Sequence, residues 1–225
     1  RVMQAADVIQ VWRRDPTILS ADWEAASRKL SRVREAAARG TLACVADFDR
    51  TLSVARMPGG SGKAESSHGV IENCGFLPDQ YHEETKRLFE TYYPVEMSAT
   101  ATEQERLDAC VSWWNQAHEL LVQHGLTRDT VRDAVAACER VALREKFDEF
   151  LSLLQKCGAP LLVFSAGFGP VIEDVLVRDS TILGDSDGGV ASAGGGGKTQ
   201  SSGTAAAVAA AGVSVIANRA IWDAD

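Results

Sequence analysis

No stretch of this chain is apolar for long enough to cross a bilayer. The longest weakly polar run, residues 205–217, is Ala-rich and falls short of the roughly 20 apolar residues a span requires. A secretory signal is also missing, and the chain begins at Arg1 and not at a methionine, which predicts that its natural start lies upstream. Paired cysteines are absent too. Cys44, Cys74, Cys110, Cys138 and Cys157 are odd in number, widely spaced and free of any C-x-x-C pair. That spacing excludes a zinc ribbon and a disulfide framework, and it fits reduced thiols in a cytoplasmic protein. Clustered basic charge is a further absence. With 23 Lys and Arg against 31 Asp and Glu, the net charge is -8, which argues against a sequence-independent grip on nucleic acid. Phosphate chemistry, if present, is expected on a small substrate, with no nucleic-acid and no membrane partner. A phosphate-binding loop of the Gly-x4-Gly-Lys type is lacking as well. Lys63 is followed by Ala64, and Ser192 stands where the first glycine before Gly197, Lys198 and Thr199 is required. Both lysines therefore read as solvated loop residues.

What is present is ordinary globular composition: 225 residues, 45% hydrophobic and 24% charged, enough for one core that carries an inserted module. Residues 21–38 repeat apolar and Ala positions at helical spacing, with Gly40 as a stop. Leu42, Ala43, Cys44, Val45 and Ala46 form a short apolar run, read as a buried strand that ends in Asp47 and Asp49. Residues 57–63 are Gly-rich and predict a loop or flap. Three helices follow, over 79–92, 102–123 and 127–143, the second opened by Thr102 and Glu105 at capping-box spacing. Residues 147–157 predict another helix. Leu161 to Phe164 then read as a second buried strand leading to Ser165, Ala166 and Gly167, and a helix starts at Pro170. Residues 191–212 are a tract of Gly, Ala, Ser and Thr, expected to remain disordered because it has little apolar surface to offset its ordering entropy. Strand character returns over 213–216.

The expected fold is α/β: a parallel sheet core with an inserted helical cap. The expected boundaries are 1–53 for N-terminal helices and the first core strand, 54–146 for the cap, 147–190 for the continued core, 191–212 for the low-complexity insertion and 213–225 for a truncated core strand. Oligomeric state is not legible in the sequence.

Asp47 and Asp49, taken by themselves, read either as a cap on the turn after the strand or as a catalytic pair. Period-two geometry puts both carboxylates on one side of the strand end, with Phe48 on the other, at the end of a parallel sheet where ligands bind. One carboxylate can attack phosphorus while the other protonates the leaving oxygen and then activates water. Mg2+ would bridge carboxylate and phosphate. Ser165 and the amides after it can hold phosphate oxygens.

The string Asp47, Phe48, Asp49, Arg50, Thr51, Leu52 resembles the D-x-D-x-T first motif of the haloacid dehalogenase superfamily, and Phe164, Ser165, Ala166, Gly167 resemble its second motif. Four further strings narrow the likeness: Ser67-His68-Gly69, Tyr92-Tyr93-Pro94-Val95-Glu96, Trp113-Trp114-Asn115-Gln116-Ala117-His118 and Ser165-Ala166-Gly167-Phe168-Gly169. Together they resemble the pyrimidine 5′-nucleotidases, also called cytosolic 5′-nucleotidase type III. The resemblance implies Asp47 as nucleophile, Asp49 as acid/base, Ser165 and Ala166 as phosphate holders and Glu96 as a carboxylate that recognises the nucleobase. Each of Trp113 and Trp114 reads either as helical core or as a base-stacking residue. His118, on a similar face to Trp114, and His68 read as structural hydrogen-bonders.

Members of that family continue to a lysine and a G-D-S-x-G-D segment that completes the magnesium site, and this chain ends before both. Gly184, Asp185, Ser186, Asp187, Gly188 and Gly189 look like a displaced version of that segment, which makes Asp185 a candidate third metal ligand beside Asp47 and Asp49. The expected activity is Mg2+-dependent hydrolysis of pyrimidine nucleoside 5′-monophosphates through an aspartyl-phosphate. The alternatives are an inactive or truncated nucleotide-binding module, or a phosphatase for another small phosphomonoester.

Overall fold

The computed structural model describes residues 5–60, 62–73, 75–184 and 201–222, with the backbone alone for 201–203. Helix α1 (Ala5–Arg14) packs along α2 (Trp23–Ala38), and Arg13 lies 5.8 Å over the Trp23 ring. Asp22 caps α2 by accepting from the Glu24 and Ala25 amides, both at 2.9 Å, and Gly40 ends the turn at φ 66°. No residue of α2 is buried, so this pair stands outside the main core.

Three strands form one sheet, β1 (Cys44–Ala46), β2 (Leu161–Phe168) and β3 (Val213–Asn218), in the order β1-β2-β3 with both pairings parallel. Cys44 sits opposite Leu161, which sits opposite Val213. The alternation sorts the two faces. Leu161, Val163 and Val213 are buried, whereas Val45, Phe164 and Ile216 remain 65, 60 and 53% exposed. Among the described residues the helices therefore cover one face and leave the apolar side chains of the other exposed.

Between β1 and β2 come α3 (Ser67–Glu72), α4 (Asp79–Glu96), α5 (Glu103–Gln123), α6 (Arg128–Ala137) and α7 (Phe147–Lys156). Thr102 and Glu105 make the expected capping box. Helices α4 and α5 form an antiparallel hairpin, with Gln116 Nε2 donating to Tyr92 Oη at 2.5 Å and Phe89 against Trp113. After β2 come α8 (Gly169–Asp179), α9 (Thr181–Gly184) and α10 (Ser201–Ala210). Val171, Ile172, Val175 and Leu176 of α8 are fully buried, which makes α8 the central helix of the covered face.

Five expectations change. The strand expected to be buried over 42–46 is confined to Cys44–Ala46, and none of its residues is buried, because the described helices cover only one face of the sheet. The helix predicted to start at 127 ends at Ala137 instead of 143, because the Arg178 guanidinium takes the carbonyls of Val135 at 2.5 Å, Cys138 at 3.2 Å and Val141 at 2.6 Å. Helix α4 runs past Tyr92 through Pro94 to Glu96, since a proline this near a C-terminus sacrifices only one backbone bond. Strand β2 extends to Phe168, with an irregular register between Phe164 and Phe168. The second half of the low-complexity tract is helical and not disordered. Its alanines favour helix and its Val208 is buried in the core beside α8 and β3. Residues 185–200 lie outside the described residues. Among the described residues no helix is long and apolar enough to cross a membrane.

Asp174 of α8 is half-buried near Arg132, Arg128 and Thr204. Burial pushes its carboxyl up to about 6, against the pull of Arg132, while Glu173 adds to the rise. A raised carboxyl means that the folded state binds the proton more tightly, so stability is lost as pH climbs from about 4 through about 6. Asp174→Asn is expected to raise stability near pH 7.5 by an amount on the order of 1–2 kcal/mol, and the thermal midpoint with it. Little difference should remain near pH 4. Thermal melts of both proteins at the two pH values check this.

Candidate active site

Strand β1 ends at Ala46 and the chain continues extended through Asp47 (φ -74°, ψ 159°). Phe48 then turns inward and is fully buried, while Asp47 is exposed and Asp49 half-buried, the division that period-two geometry predicts. A wide turn follows over Phe48–Leu52, closed by the Ser53 amide donating to the Phe48 carbonyl at 3.0 Å. It requires Arg50 to sit at φ 64°, a left-handed conformation that costs a residue with a Cβ about 1–2 kcal/mol. Buried Ser53 helps to hold it, its Oγ accepting from the Arg50 amide at 2.8 Å. The turn aims Thr51 back at the nucleophile candidate, and Thr51 Oγ1 donates to Asp47 Oδ2 at 3.1 Å.

Asp49 is fixed by one residue 18 positions away. Ser67 donates its amide to Asp49 Oδ1 at 2.7 Å and its hydroxyl to Oδ2 at 2.8 Å, and its Oγ accepts from the Phe168 amide at 3.1 Å. Ser67 is fully buried in the first turn of α3, whose N-terminus is capped by Ser66. The Ser67 hydroxyl thus joins the ends of β1 and β2. Ser165 arrives from β2, half-buried, with its Oγ accepting from the Gly167 amide at 3.0 Å. Ala166 is exposed, and its carbonyl is held by Asn218 Nδ2 of β3 at 2.6 Å.

Gly167 measures how closely these groups converge. A Cβ added there would overlap the Ser67 hydroxyl and lie 2.9 Å from Asp49 Oδ2 and 3.1 Å from Ser165 Oγ. Glycine at this point is a steric requirement. Helix α8 begins two residues later, which directs its free N-terminal amides at the same end of the sheet.

The two carboxyls differ in environment. Burial pushes the Asp49 carboxyl up, and the Asp47 charge adds to the rise, against the two Ser67 hydrogen bonds and Arg50. Asp49 therefore retains a proton more readily than an ordinary aspartate, as a general acid must. Next along α3, His68 is pushed down to about 4 by burial and then by His118, so it is neutral at pH 7. Its ring lies 4.6 Å from Trp114, 6.1 Å from Phe168 and 6.1 Å from His118. Burial lowers His118 as well. The hydrogen bonds expected of these two rings are not made at Nε2 of either: both atoms are buried without a partner among the described residues.

The structure separates the two tryptophans. Trp114 is 40% exposed and packs against His68, the neighbour of Ser67. Trp113 lies in the α4–α5 interface, edge-on to Phe89 and stacked over Tyr92. Glu96 is exposed in the last turn of α4, and the antiparallel pairing brings it within about two helical turns of Trp114 along the hairpin. Asp185 lies outside the described residues. Among the described residues no three His, Cys, Asp or Glu side chains form a metal-holding cluster. Two hard carboxylates nevertheless suit Mg2+, which keeps several waters and is held through one or two carboxylates plus substrate phosphate. Asp47 is exposed for that role, whereas both oxygens of Asp49 already accept from Ser67.

Ser67→Ala is expected to leave the Phe168 amide and Asp49 Oδ2 without a partner, a cost of about 1–3 kcal/mol, read as a lower urea midpoint with an unchanged slope. Gly167→Ala is expected to be the more damaging of the two, because its methyl meets Ser67, Asp49 and Ser165 together. A larger midpoint loss for Ser67→Ala would contradict the steric reading.

Known proteins resemble this chain in sequence and in fold. The family model for Pyrimidine 5′-nucleotidase (UMPH-1) matches residues 50–186, a span that begins immediately after Asp49. The chain is 29% identical over 160 residues to 7-methylguanosine phosphate-specific 5′-nucleotidase A of Xenopus laevis, covering 71% of this chain and 54% of that protein. It is 34% identical over 139 residues to the 7-methylguanosine phosphate-specific 5′-nucleotidase of Drosophila melanogaster, covering 62% and 43%. The crystal structure of cytosolic 5′-nucleotidase IIIB bound to cytidine has the same fold, with a TM-score of 0.56 and 24% identity over 88% of this chain and 57% of that one. The chain spans about half the length of the curated relatives it matches. With the family model covering more than half of its residues, the chain belongs to the pyrimidine 5′-nucleotidase (UMPH-1) family.

Proposed function

We propose that the protein hydrolyses nucleoside 5′-monophosphates to nucleoside and phosphate through an aspartyl-phosphate on Asp47. The observation that carries this reading is the meeting of Asp49, which lies two residues after Asp47, with Ser67 and Ser165 around Gly167. An Asp47 oxygen attacks phosphorus and the bond to the 5′ oxygen breaks. Asp49, whose carboxyl burial pushes up, gives a proton to that oxygen, and the nucleoside leaves. Asp49, now a base, takes a proton from water as the water attacks phosphorus, which frees phosphate and restores Asp47. Ser165, the Ala166 amide and the α8 N-terminus receive phosphate oxygens. Mg2+, when bound beside Asp47 and Asp49, offsets the repulsion between carboxylate and phosphate.

On the substrate side, Trp114 is the stacking candidate and Glu96 the reader of the base edge, on residues 54–146 acting as the cap. The pyrimidine reading rests on that carboxylate, which accepts from an exocyclic amine or ring N–H. A second reading comes from the names of the relatives, 7-methylguanosine phosphate-specific 5′-nucleotidases. A methylated purine is cationic, and the Trp114 face beside a neutral His68 suits a cationic ring.

Phosphate release from the cytidine, uridine and 7-methylguanosine monophosphates, with Mg2+ present, tests both readings. Asp47→Asn should lose turnover by about a thousandfold or more. Trp114→Ala should raise KM about 5- to 100-fold, the worth of one base stack, and Trp113→Ala should act through stability instead. Equal turnover of phosphoserine, indifferent to Trp114→Ala, would sink the nucleotide reading.

A further inference from the structure

We propose that Arg144 is a positioning residue that locks the turn carrying both aspartates. The turn over Phe48–Leu52 holds Arg50 in a left-handed conformation, so something outside it must keep it from relaxing. Ser53 does this from inside, through the Arg50 amide. From outside, Arg144 Nη2 donates to the Arg50 carbonyl at 2.7 Å and Arg144 Nε to the Thr51 carbonyl at 2.7 Å. Two adjacent carbonyls are thus spanned by one planar fork, a geometry that a lysine ammonium, a point charge with rotatable donors, does not fix. The Arg144 amide adds a third bond, to the Leu52 carbonyl at 2.8 Å, and the Val54 amide donates to the Ala142 carbonyl at 2.9 Å.

Arg144 is exposed, and among the described residues its guanidinium makes no ion pair. Its donors go to main-chain oxygens of the site turn and not to a carboxylate. What they fix is consequential: Thr51, whose carbonyl Arg144 holds, directs its hydroxyl at Asp47, and Asp49 immediately precedes Arg50.

The segment that bears Arg144 is anchored in turn. Asp179 Oδ2 accepts from the Leu143 amide at 3.0 Å, and Arg178 holds the Val141 carbonyl. Both anchors sit at the C-terminal end of α8, whose other end follows Ser165 and Gly167. The two halves of the site are therefore tied twice, directly through Ser67 and indirectly through α8, Arg178, Asp179 and Arg144. The catalytic consequence rests on the function proposed above, whereas the locking does not.

The test compares Arg144→Lys and Arg144→Gln with the parent chain. Amide hydrogen exchange read by mass spectrometry should be faster in peptides covering residues 48–54 in both variants, with peptides from β2 and α8 unchanged. Phosphate release should show kcat falling by up to about 10²-fold, the effect of a roughly 1 Å misplacement, with KM within about threefold, and lysine should not rescue. Unchanged exchange over residues 48–54, or full rescue by lysine, would overturn the proposal. A parent chain that releases no phosphate from nucleotides would instead refute the proposed function, and hydrogen exchange would still decide whether Arg144 locks the turn.

Discussion

Both oxygens of Asp49 end on the amide and hydroxyl of Ser67. A carboxyl in this half-buried position needs partners, because an unsatisfied buried acceptor costs more than a hydrogen bond returns. The same hydroxyl takes the Phe168 amide, so one small side chain holds the ends of β1 and β2 and the start of α3 at a common point. Gly167 leaves room for that point and for nothing larger. The left-handed Arg50, the inward Phe48 and the approach of Ser165 are the geometry this junction demands of its neighbours.

The proposed division of labour between the aspartates rests on where each lies. Asp47 is exposed and held lightly by Thr51, free to approach phosphorus or a cation. Asp49 is withdrawn among Ser67 and Gly167, where burial favours its neutral form. Two residues apart on one strand end, the two carboxyls thus differ in exposure and in hydrogen-bond partners, the difference that the proposed nucleophile and acid require.

Much of this was legible in the sequence where periodicity governs. The apolar runs before Asp47 and Ser165 predict β1 and the first half of β2, and the two-residue step from Asp47 to Asp49 predicts the opposite burial of Phe48. Thr102 and Glu105 announce the start of α5. What escaped the sequence lies in contacts between distant residues. Nothing near Ser67 marks it as the partner of Asp49, and Arg144 stands 94 positions from the carbonyl of Arg50 that it holds. The early end of α6 is set by Arg178, a residue of α8. The helix in the Ala-rich tract escaped because composition reports mean hydropathy, whereas a single buried Val208 and the helix preference of alanine decide the outcome. Trp113 and Trp114 are indistinguishable by type, and the helical step of about 100° between them sends one ring into the hairpin and the other toward His68.

The proposed reaction depends on Asp47 as the attacking group and Asp49 as the proton carrier. An aryl phosphate with a weakly basic leaving group needs no proton donor, so an Asp49→Asn protein should form the acyl phosphate from it and then stall for want of a base. Peptide mapping of that protein after brief exposure to the aryl phosphate and Mg2+ should find phosphate on Asp47 and nowhere else. Phosphate on another residue, or continued release of phosphate with Asp47 unmodified at every time point, would contradict the assignment.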